Sequence, residues 1–235
     1  MIEAVLTVRD LHSGYGAGDI LQGVEINVSP GEIVAVVGRN GVGKTTLMKT
    51  IMGLVKARAG EIRFAGNDIS RRQPEERARL GLGYVPQGKM IFSHLTVAEN
   101  LRMGERINEG KPKDRELVFN YFPILKERLS QKGGTLSGGE QQALAIARAL
   151  VGQPEILLLD EPSESIQPSI IIEIGEVLAR LNRETGVTIV IVEQNLGLIG
   201  AVAQRGYVLD KGHVTTELTR NDVHDRRVMV RHLSV

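Results

Sequence analysis

The chain has 235 residues, 42% of them hydrophobic and 24% charged, which is ordinary for a soluble globular protein, and its formal net charge is +1. A chain of this length can bury a sufficient core without covalent staples, and the absence of cysteine excludes disulfides and thiolate metal sites. The balanced charge argues against a nucleic-acid partner. Neither a signal peptide nor a run of roughly 18 apolar residues is present, so we expect a cytoplasmic protein that reaches a membrane only through a partner.

The amino-terminal part of the chain predicts short strands followed by a strand, a loop and a helix. Apolar or alternating runs at 4–8 and 24–28 are separated by a Gly-rich break at 13–16. The near-continuous apolar run Ile33–Val37 is typical of a parallel strand that is covered on both faces. A glycine-rich loop and then a helical pattern over 46–52 follow it directly.

The rest of the chain alternates between helix-like and strand-like texture. From about Gly88 to Leu150 the apolar residues follow a mostly helical spacing, and after Leu150 apolar runs typical of parallel strands return. The runs are helices at 116–125 and 141–151, strands at 156–159 and 187–192, a hairpin at 206–209 and 213–216, and a solvated terminal helix from 222. These runs predict an α/β core with a helical insertion between two of its strands.

The loop that follows the Ile33–Val37 strand matches the phosphate-binding pattern G-x-x-x-x-G-K-[ST] in full. Its glycines allow backbone N–H groups to line an anion-binding nest at a helix N-terminus. Lys44 can reach the β- and γ-phosphates, and the Thr45 hydroxyl can bind magnesium. The sequence therefore predicts an ATP–magnesium site, with nucleotide contacts from Gly38, Asn40, Gly41, Gly43, Lys44, Thr45 and Thr46.

A second acidic motif ends the strand at 156–159. Asp160 follows four apolar residues, so it is expected at the carboxyl edge of the sheet beside the glycine-rich loop, where it can hold magnesium. Glu161 is the adjacent carboxylate, free to orient or deprotonate an attacking water. An apolar run that ends in an acid is weak evidence alone, but together with the loop it predicts the second half of a nucleotide-hydrolysing site.

A third motif opens the helix that precedes this strand. Ser137 is a natural N-cap, and Gly138 and Gly139 leave backbone amides exposed in the first turn. Physical reasoning leaves two interpretations open, an ordinary capped helix or a second phosphate-binding helix end.

The segment 136–142 resembles the signature motif of ABC ATPases, and the likeness covers essentially the whole chain. This resemblance implies an α/β fold: a P-loop NTPase (RecA-like) core, an antiparallel β subdomain and an inserted α-helical subdomain. The core with its β subdomain would comprise 1–87 and 151–235, and the helical subdomain 88–150. The resemblance further implies that Tyr15 stacks on adenine, and that Gln87 contacts magnesium and the attacking water and faces transmembrane subunits.

The resemblance also implies an assembly and an activity. Two ATPase chains would pair head to tail, so that Ser137, Gly138 and Gly139 of one chain close on the γ-phosphate held by the other. ATP hydrolysis would drive a membrane-embedded permease, and a substrate-binding protein would deliver the solute to that permease. Segments at 84–88, 148–150, 166–170 and 192–195 are similar to importers for branched-chain amino acids and for urea or short amides, and 166–170 favours the urea type.

Two positions depart from the family pattern. Gln194 stands where a histidine usually contacts the γ-phosphate, and glutamine can donate a hydrogen bond but cannot act as a cation. Ser165 stands where related subunits have glycine, and a positive φ there would cost serine roughly 1 kcal/mol. We expect catalysis to involve Glu161, Gln194 and Gln87. Two alternatives remain, a weakly hydrolysing regulatory subunit, favoured by Gln194, and an ABC ATPase unrelated to transport.

Overall fold

The computed structural model describes residues 4–108 and 115–233, and within these ranges the chain forms two sheets flanked by helices. The strands are β1 (Leu6–Ser13), β2 (Leu21–Val28), β3 (Ile33–Val37), β4 (Ala57–Phe64), β5 (Asn67–Asp68), β6 (Leu82–Val85), β7 (Ile156–Asp160), β8 (Thr188–Glu193), β9 (Arg205–Asp210) and β10 (His213–Leu218). The helices are α1 (Lys44–Met52), α2 (Pro74–Leu80), α3 (Val97–Glu105), α4 (Arg115–Tyr121), α5 (Pro123–Glu127), α6 (Gly138–Leu150), α7 (Pro168–Thr185), α8 (Leu196–Val202), α9 (Arg220–His224) and α10 (Arg226–Leu233), with short 3₁₀ turns at Arg106–Asn108 and Gly133–Thr135.

The larger sheet has the order β10-β9-β3-β8-β7-β6, and its strands are parallel except for β10, which pairs antiparallel with β9. Every residue of β3 is buried, as its continuous apolar run predicts. Alternate side chains of β3 enter different clusters, Val34 and Val36 on one face and Ala35 and Val37 on the other. The carboxyl ends of β3, β7 and β8 therefore meet at one edge of the sheet.

The smaller sheet is antiparallel, with the order β2-β1-β4-β5, and it covers one face of the larger sheet. Leu47, Met48 and Ile51 of α1 are fully buried in the cluster that both sheets share. Because α1 is packed between two sheets, its N-terminus is held rigidly at the end of β3.

Helices α3 to α6 lie between β6 and β7 in the chain, where the sequence predicts a helical insertion. The helix predicted over 116–125 is in fact two helices, because Phe122 leaves the helical conformation (φ −130°, ψ 68°) immediately before Pro123. Proline restricts the residue before it to extended conformations and cannot continue the hydrogen-bond ladder. The predicted hairpin at the carboxyl side is confirmed as β9 and β10. The boundaries 1–87, 88–150 and 151–235 stay a prediction.

Across the described residues, no helix combines the length and the apolar character that crossing a bilayer requires.

Candidate nucleotide site

The glycine-rich loop joins β3 to α1 in a conformation that only glycine adopts without strain. Gly41 and Gly43 have φ of 81° and 113°. A Cβ on Gly43 would lie 2.9 Å from a Leu21 methyl group, and one on Gly38 would lie 2.3 Å from the Leu209 carbonyl oxygen. Gly43 is also the N-cap of α1, so free backbone N–H groups and the positive end of the helix dipole face the loop. The arrangement suits a phosphate.

Lys44 lies inside this loop and is only 4% exposed. Its Nζ donates to the carbonyl oxygens of Gly38 at 2.8 Å and Arg39 at 3.0 Å. The same atom lies 3.0 Å from Oε1 of Glu161. The predicted phosphate-binding lysine and the predicted catalytic carboxylate therefore form an ion pair.

The predicted magnesium-binding groups are hydrogen-bonded to each other. The Thr45 hydroxyl donates to Oδ1 of Asp160 at 3.0 Å, and the Tyr84 hydroxyl donates to Oδ2 at 3.1 Å. Burial raises the pKa of the Asp160 carboxyl, and these two hydrogen bonds oppose the rise. No group of three or more His, Asp or Glu side chains suited to a metal occurs in the described part of the chain. A hydroxyl and one carboxylate fit Mg²⁺, which prefers hard oxygen ligands and completes its shell with phosphates and water.

Glu161 and Gln194 meet beside the loop. Glu161 has a left-handed backbone, with φ of 46°, and its N–H donates to the Val192 carbonyl oxygen at 2.9 Å. Nε2 of Gln194 donates to Oε1 of Glu161 at 3.1 Å and to Oδ1 of Asn40 at 2.6 Å. Gln194 therefore bridges the phosphate-binding loop and the predicted catalytic carboxylate. The catalytic roles of these residues stay a prediction.

One buried acid beside the site was not identified from the sequence. Glu193, the last residue of β8, is 2% exposed, and burial raises the pKa of its carboxyl. It accepts hydrogen bonds from Ser163 and from the backbone N–H of Gln194. The signal was a single acid at the end of the apolar run 187–192, directly before Gln194.

Gln87 lies two residues after the end of β6 and donates from Nε2 to Oε1 of Glu164 at 3.2 Å. Glu164 belongs to the turn that follows Glu161, so Gln87 is near the site through this turn. The role of Gln87 toward magnesium stays a prediction.

Tyr15 projects from the loop between β1 and β2 and is 53% exposed. Arg58 of β4 holds this loop through hydrogen bonds to the carbonyl oxygens of Gly16 at 2.6 Å and Ala17 at 3.3 Å and to Oδ1 of Asp19 at 2.7 Å. An exposed aromatic face on a fixed loop is suited to stack on a base.

Replacing Tyr15 with Ala should weaken ATP binding about tenfold, because stacking of a base on an aromatic ring contributes about 1–3 kcal/mol. Discrimination between adenine and guanine nucleotides should change little, since stacking involves the face of the base and not its edge. Arg58→Ala should act in the same direction, with Arg63→Ala on the same strand as the matched control. Calorimetric titration with ATP and with inorganic tripolyphosphate checks this, and an equal loss for tripolyphosphate would contradict the assignment.

The signature segment forms the N-terminus of α6. The Ser137 side chain accepts from the Glu140 N–H at 3.3 Å, and the Glu140 carboxylate accepts from the Ser137 N–H at 2.7 Å, which forms a capping box. Ser137 and Gly138 are exposed, and a Cβ on Gly139 would lie 2.7 Å from Cγ2 of Ile170. The capped helix is thus observed, whereas phosphate binding by it stays a prediction.

Ser165 has φ of 57°. It therefore adopts the positive φ that was considered for this position because related subunits have glycine there. Its carbonyl oxygen lies 3.8 Å from the Cβ position built on Gly138. The turn after Glu161 therefore lies beside the signature segment of the same chain.

Solved structures of ATP-binding cassettes have this architecture. A nucleotide-free cassette of an ABC transporter matches with a TM-score of 0.84 at 26% identity over 99% of this chain and 100% of that one. A dimeric post-hydrolysis cassette bound to ADP and Pi matches with a TM-score of 0.82 at 26% identity, over 92% and 98%. The fold and site therefore define a P-loop ATPase cassette, which confirms the predicted fold class.

Sequence comparison gives the family. A family model described as ABC transporter matches residues 21–164. A high-affinity branched-chain amino acid transport ATP-binding protein, BraG of Pseudomonas aeruginosa, is 44% identical over 89% of this chain and 91% of its own. A probable branched-chain amino acid transport ATP-binding protein, LivF of Archaeoglobus fulgidus, is 37% identical over 93% and 94%. The lipopolysaccharide export protein LptB of Escherichia coli is 34% identical over 96% of both.

The chain belongs to the ABC transporter family. It is an ATP-binding ATPase of the class that couples hydrolysis to transport.

Proposed function

We propose that this chain is the ATP-hydrolysing subunit of an importer for branched-chain amino acids. The observation that carries the proposal is the single network in which Lys44, Glu161 and Gln194 meet beside the Thr45–Asp160 pair. Two relatives, BraG and LivF, are named as branched-chain amino acid transport proteins, which supports branched-chain amino acids as the solute. Urea and short amides are the second candidate solutes, favoured by the segment 166–170.

In the proposed reaction the loop and the α1 N-terminus bind the phosphates, while Lys44 neutralises charge that develops on the γ-phosphate. Thr45, Asp160 and Gln87 would hold magnesium, which supplies further charge neutralisation. Glu161 orients or deprotonates the attacking water, and Gln194 donates a hydrogen bond at the γ-phosphate. Lys44 gives up its ion pair with Glu161 when it turns to phosphate, which frees the carboxylate for the water.

The exposed capped helix supports a head-to-tail dimer. Ser137 and Gly138 present a helix N-terminus to solvent, and such an end binds anions. A similar cassette that was solved as a dimer supports the pairing of two ATPase chains. We infer that Ser137, Gly138 and Gly139 complete the nucleotide site of a second ATPase chain.

An apolar cleft supports contact with a permease. It has a volume of about 330 Å³ and lies at the junction of α1, β6, α3 and α6. Leu54 and Phe92, which line it, are 54% and 44% exposed, and the Arg148 guanidinium lies 4.9 Å from the Phe92 ring. Exposed apolar surface of this kind marks protein interaction sites. The contact would place the chain at the inner face of the membrane.

A second candidate is a regulatory subunit that closes on ATP and hydrolyses it slowly. Gln194 favours this function, since glutamine cannot carry the positive charge of a histidine at the γ-phosphate. The presence of Lys44, Asp160 and Glu161 in hydrogen-bonded positions favours hydrolysis.

Reconstitution of this chain with the permease and the solute-binding protein of a branched-chain amino acid importer tests the function. We expect ATP-dependent uptake of leucine, isoleucine and valine into proteoliposomes, with urea and acetamide as the competing solutes. Uptake of urea alone would replace the solute class and leave the ATPase function intact. Closure on ATP without turnover would establish the regulatory alternative, and an absence of both binding and hydrolysis would refute the proposal.

A further inference from the structure

Glu193 is a buried carboxylate between two segments of the nucleotide site. It ends β8, where it pairs in register with Val37, the residue before the phosphate-binding loop. Its exposure is 2%, and none of the ion pairs found among the described residues includes it. Burial of a carboxylate without a cation is costly unless hydrogen bonds compensate it.

The hydrogen bonds of Glu193 join two parts of the site. Oε1 accepts from the backbone N–H of Ser163 at 3.3 Å and from the Ser163 hydroxyl. Oε2 accepts from the backbone N–H of Gln194 at 2.8 Å. Ser163 belongs to the turn at 161–165, which we call the carboxylate turn because it begins with Glu161.

The conformation of the carboxylate turn requires such support. Glu161 and Ser165 both have left-handed backbones, with φ of 46° and 57°. Non-glycine residues hold this conformation only where the surroundings over-determine it. One oxygen of the Glu193 carboxylate binds Ser163 in the middle of the turn, and the other binds the backbone N–H of Gln194. The Gln194 side chain in turn donates to Glu161 at 3.1 Å.

We propose that Glu193 is a positioning residue that ties the carboxylate turn to Gln194, so that Glu161 and Gln194 act on the γ-phosphate as one unit. This inference rests on the proposed ATPase function. In this proposal Glu193 acts through other residues and not on the nucleotide itself. It fixes the backbone from which both reacting side chains project.

Glu193→Gln tests this inference with the smallest change in shape. The amide retains one acceptor oxygen but places an NH₂ group against the backbone N–H of either Ser163 or Gln194, so one of these two hydrogen bonds is lost. We expect kcat to fall about 10- to 100-fold, the range typical when outer hydrogen-bonding partners of functional groups are removed, with the Kd for ATP unchanged. Single-turnover hydrolysis and equilibrium ATP titration of the full chain measure the two quantities separately.

Two further variants separate positioning from stability. Val190→Ala removes buried volume from the same strand without touching the site, so it serves as the control for a general loss of stability. Ser163→Ala removes the hydroxyl that donates to Glu193, at a half-buried position. This variant keeps the test available even if Glu193→Gln does not fold. We expect Ser163→Ala to lower kcat as well, and the double variant to lose little more than Glu193→Gln alone, because both changes break one connection.

The possible outcomes separate a failure of the positioning role from a failure of the proposed ATPase function. A folded Glu193→Gln chain with wild-type kcat, or additive losses in the double variant, would overturn the positioning role. A fall in kcat that Val190→Ala reproduces at equal loss of stability would overturn it too. Wild-type protein that does not hydrolyse ATP would instead refute the ATPase function.

Discussion

Replacing Glu161 with Gln should lower the rate of ATP hydrolysis by about 10²- to 10⁴-fold, the contribution typical of a positioned general base. Glutamine keeps the length of the side chain, but its amide cannot accept the proton of the attacking water. Single-turnover measurement of phosphate release checks the rate. Unchanged turnover would exclude Glu161 as the catalytic carboxylate.

The same substitution should increase ATP affinity and stabilise an ATP-bound dimer. Lys44 is paired with Glu161 at 3.0 Å, so phosphate binding must break an existing ion pair. In Glu161→Gln this competition is absent, and ATP that is not hydrolysed holds the dimer closed. Calorimetry and light scattering with ATP measure both effects. Glu176→Gln, on the exposed face of α7, is the matched control and should behave as wild type.

Replacing Lys44 with Met should weaken ATP binding about 100-fold, because charge-assisted hydrogen bonds to phosphate contribute about 1.5–3 kcal/mol each. The uncharged side chain has similar bulk but cannot compensate the phosphate charge inside a loop where Lys44 is 4% exposed. Equilibrium titration with ATP measures the loss. Affinity equal to wild type would exclude Lys44 as a phosphate ligand.

Lys44→Met should also destabilise the nucleotide-free protein, since it leaves the partly buried Glu161 carboxylate without its cation. The double variant Lys44→Met with Glu161→Gln removes both charges, so it should regain much of the stability but none of the ATP affinity. Denaturant unfolding without nucleotide measures this difference. Equal stability of the single and double variants would show that the pair contributes little to folding.

Part of the fold was predictable because local sequence encodes it. Continuous apolar runs predict β3 and β7, and the Asp210–Gly212 turn predicts the hairpin of β9 and β10. Other elements were missed or misjudged. Helix α7 contains the β-branched run Ile170–Ile172, which locally favours a strand, yet burial of Ile171, Ile174 and Leu178 on one face stabilises a helix.

The sequence by itself determined the glycine-rich loop, the Asp160–Glu161 motif and the capped helix at Ser137. Each is a local motif, whose glycines, capping groups or strand-ending acids lie within a few residues of one another. The tertiary structure alone decided that Lys44 pairs with Glu161, that Gln194 joins Glu161 to Asn40, and that Glu193 holds the carboxylate turn. Asn40 and Gln194 are 154 positions apart in the chain. Only the packing of β3, β7 and β8 side by side brings such residues to one edge, because parallel strands align their carboxyl ends there.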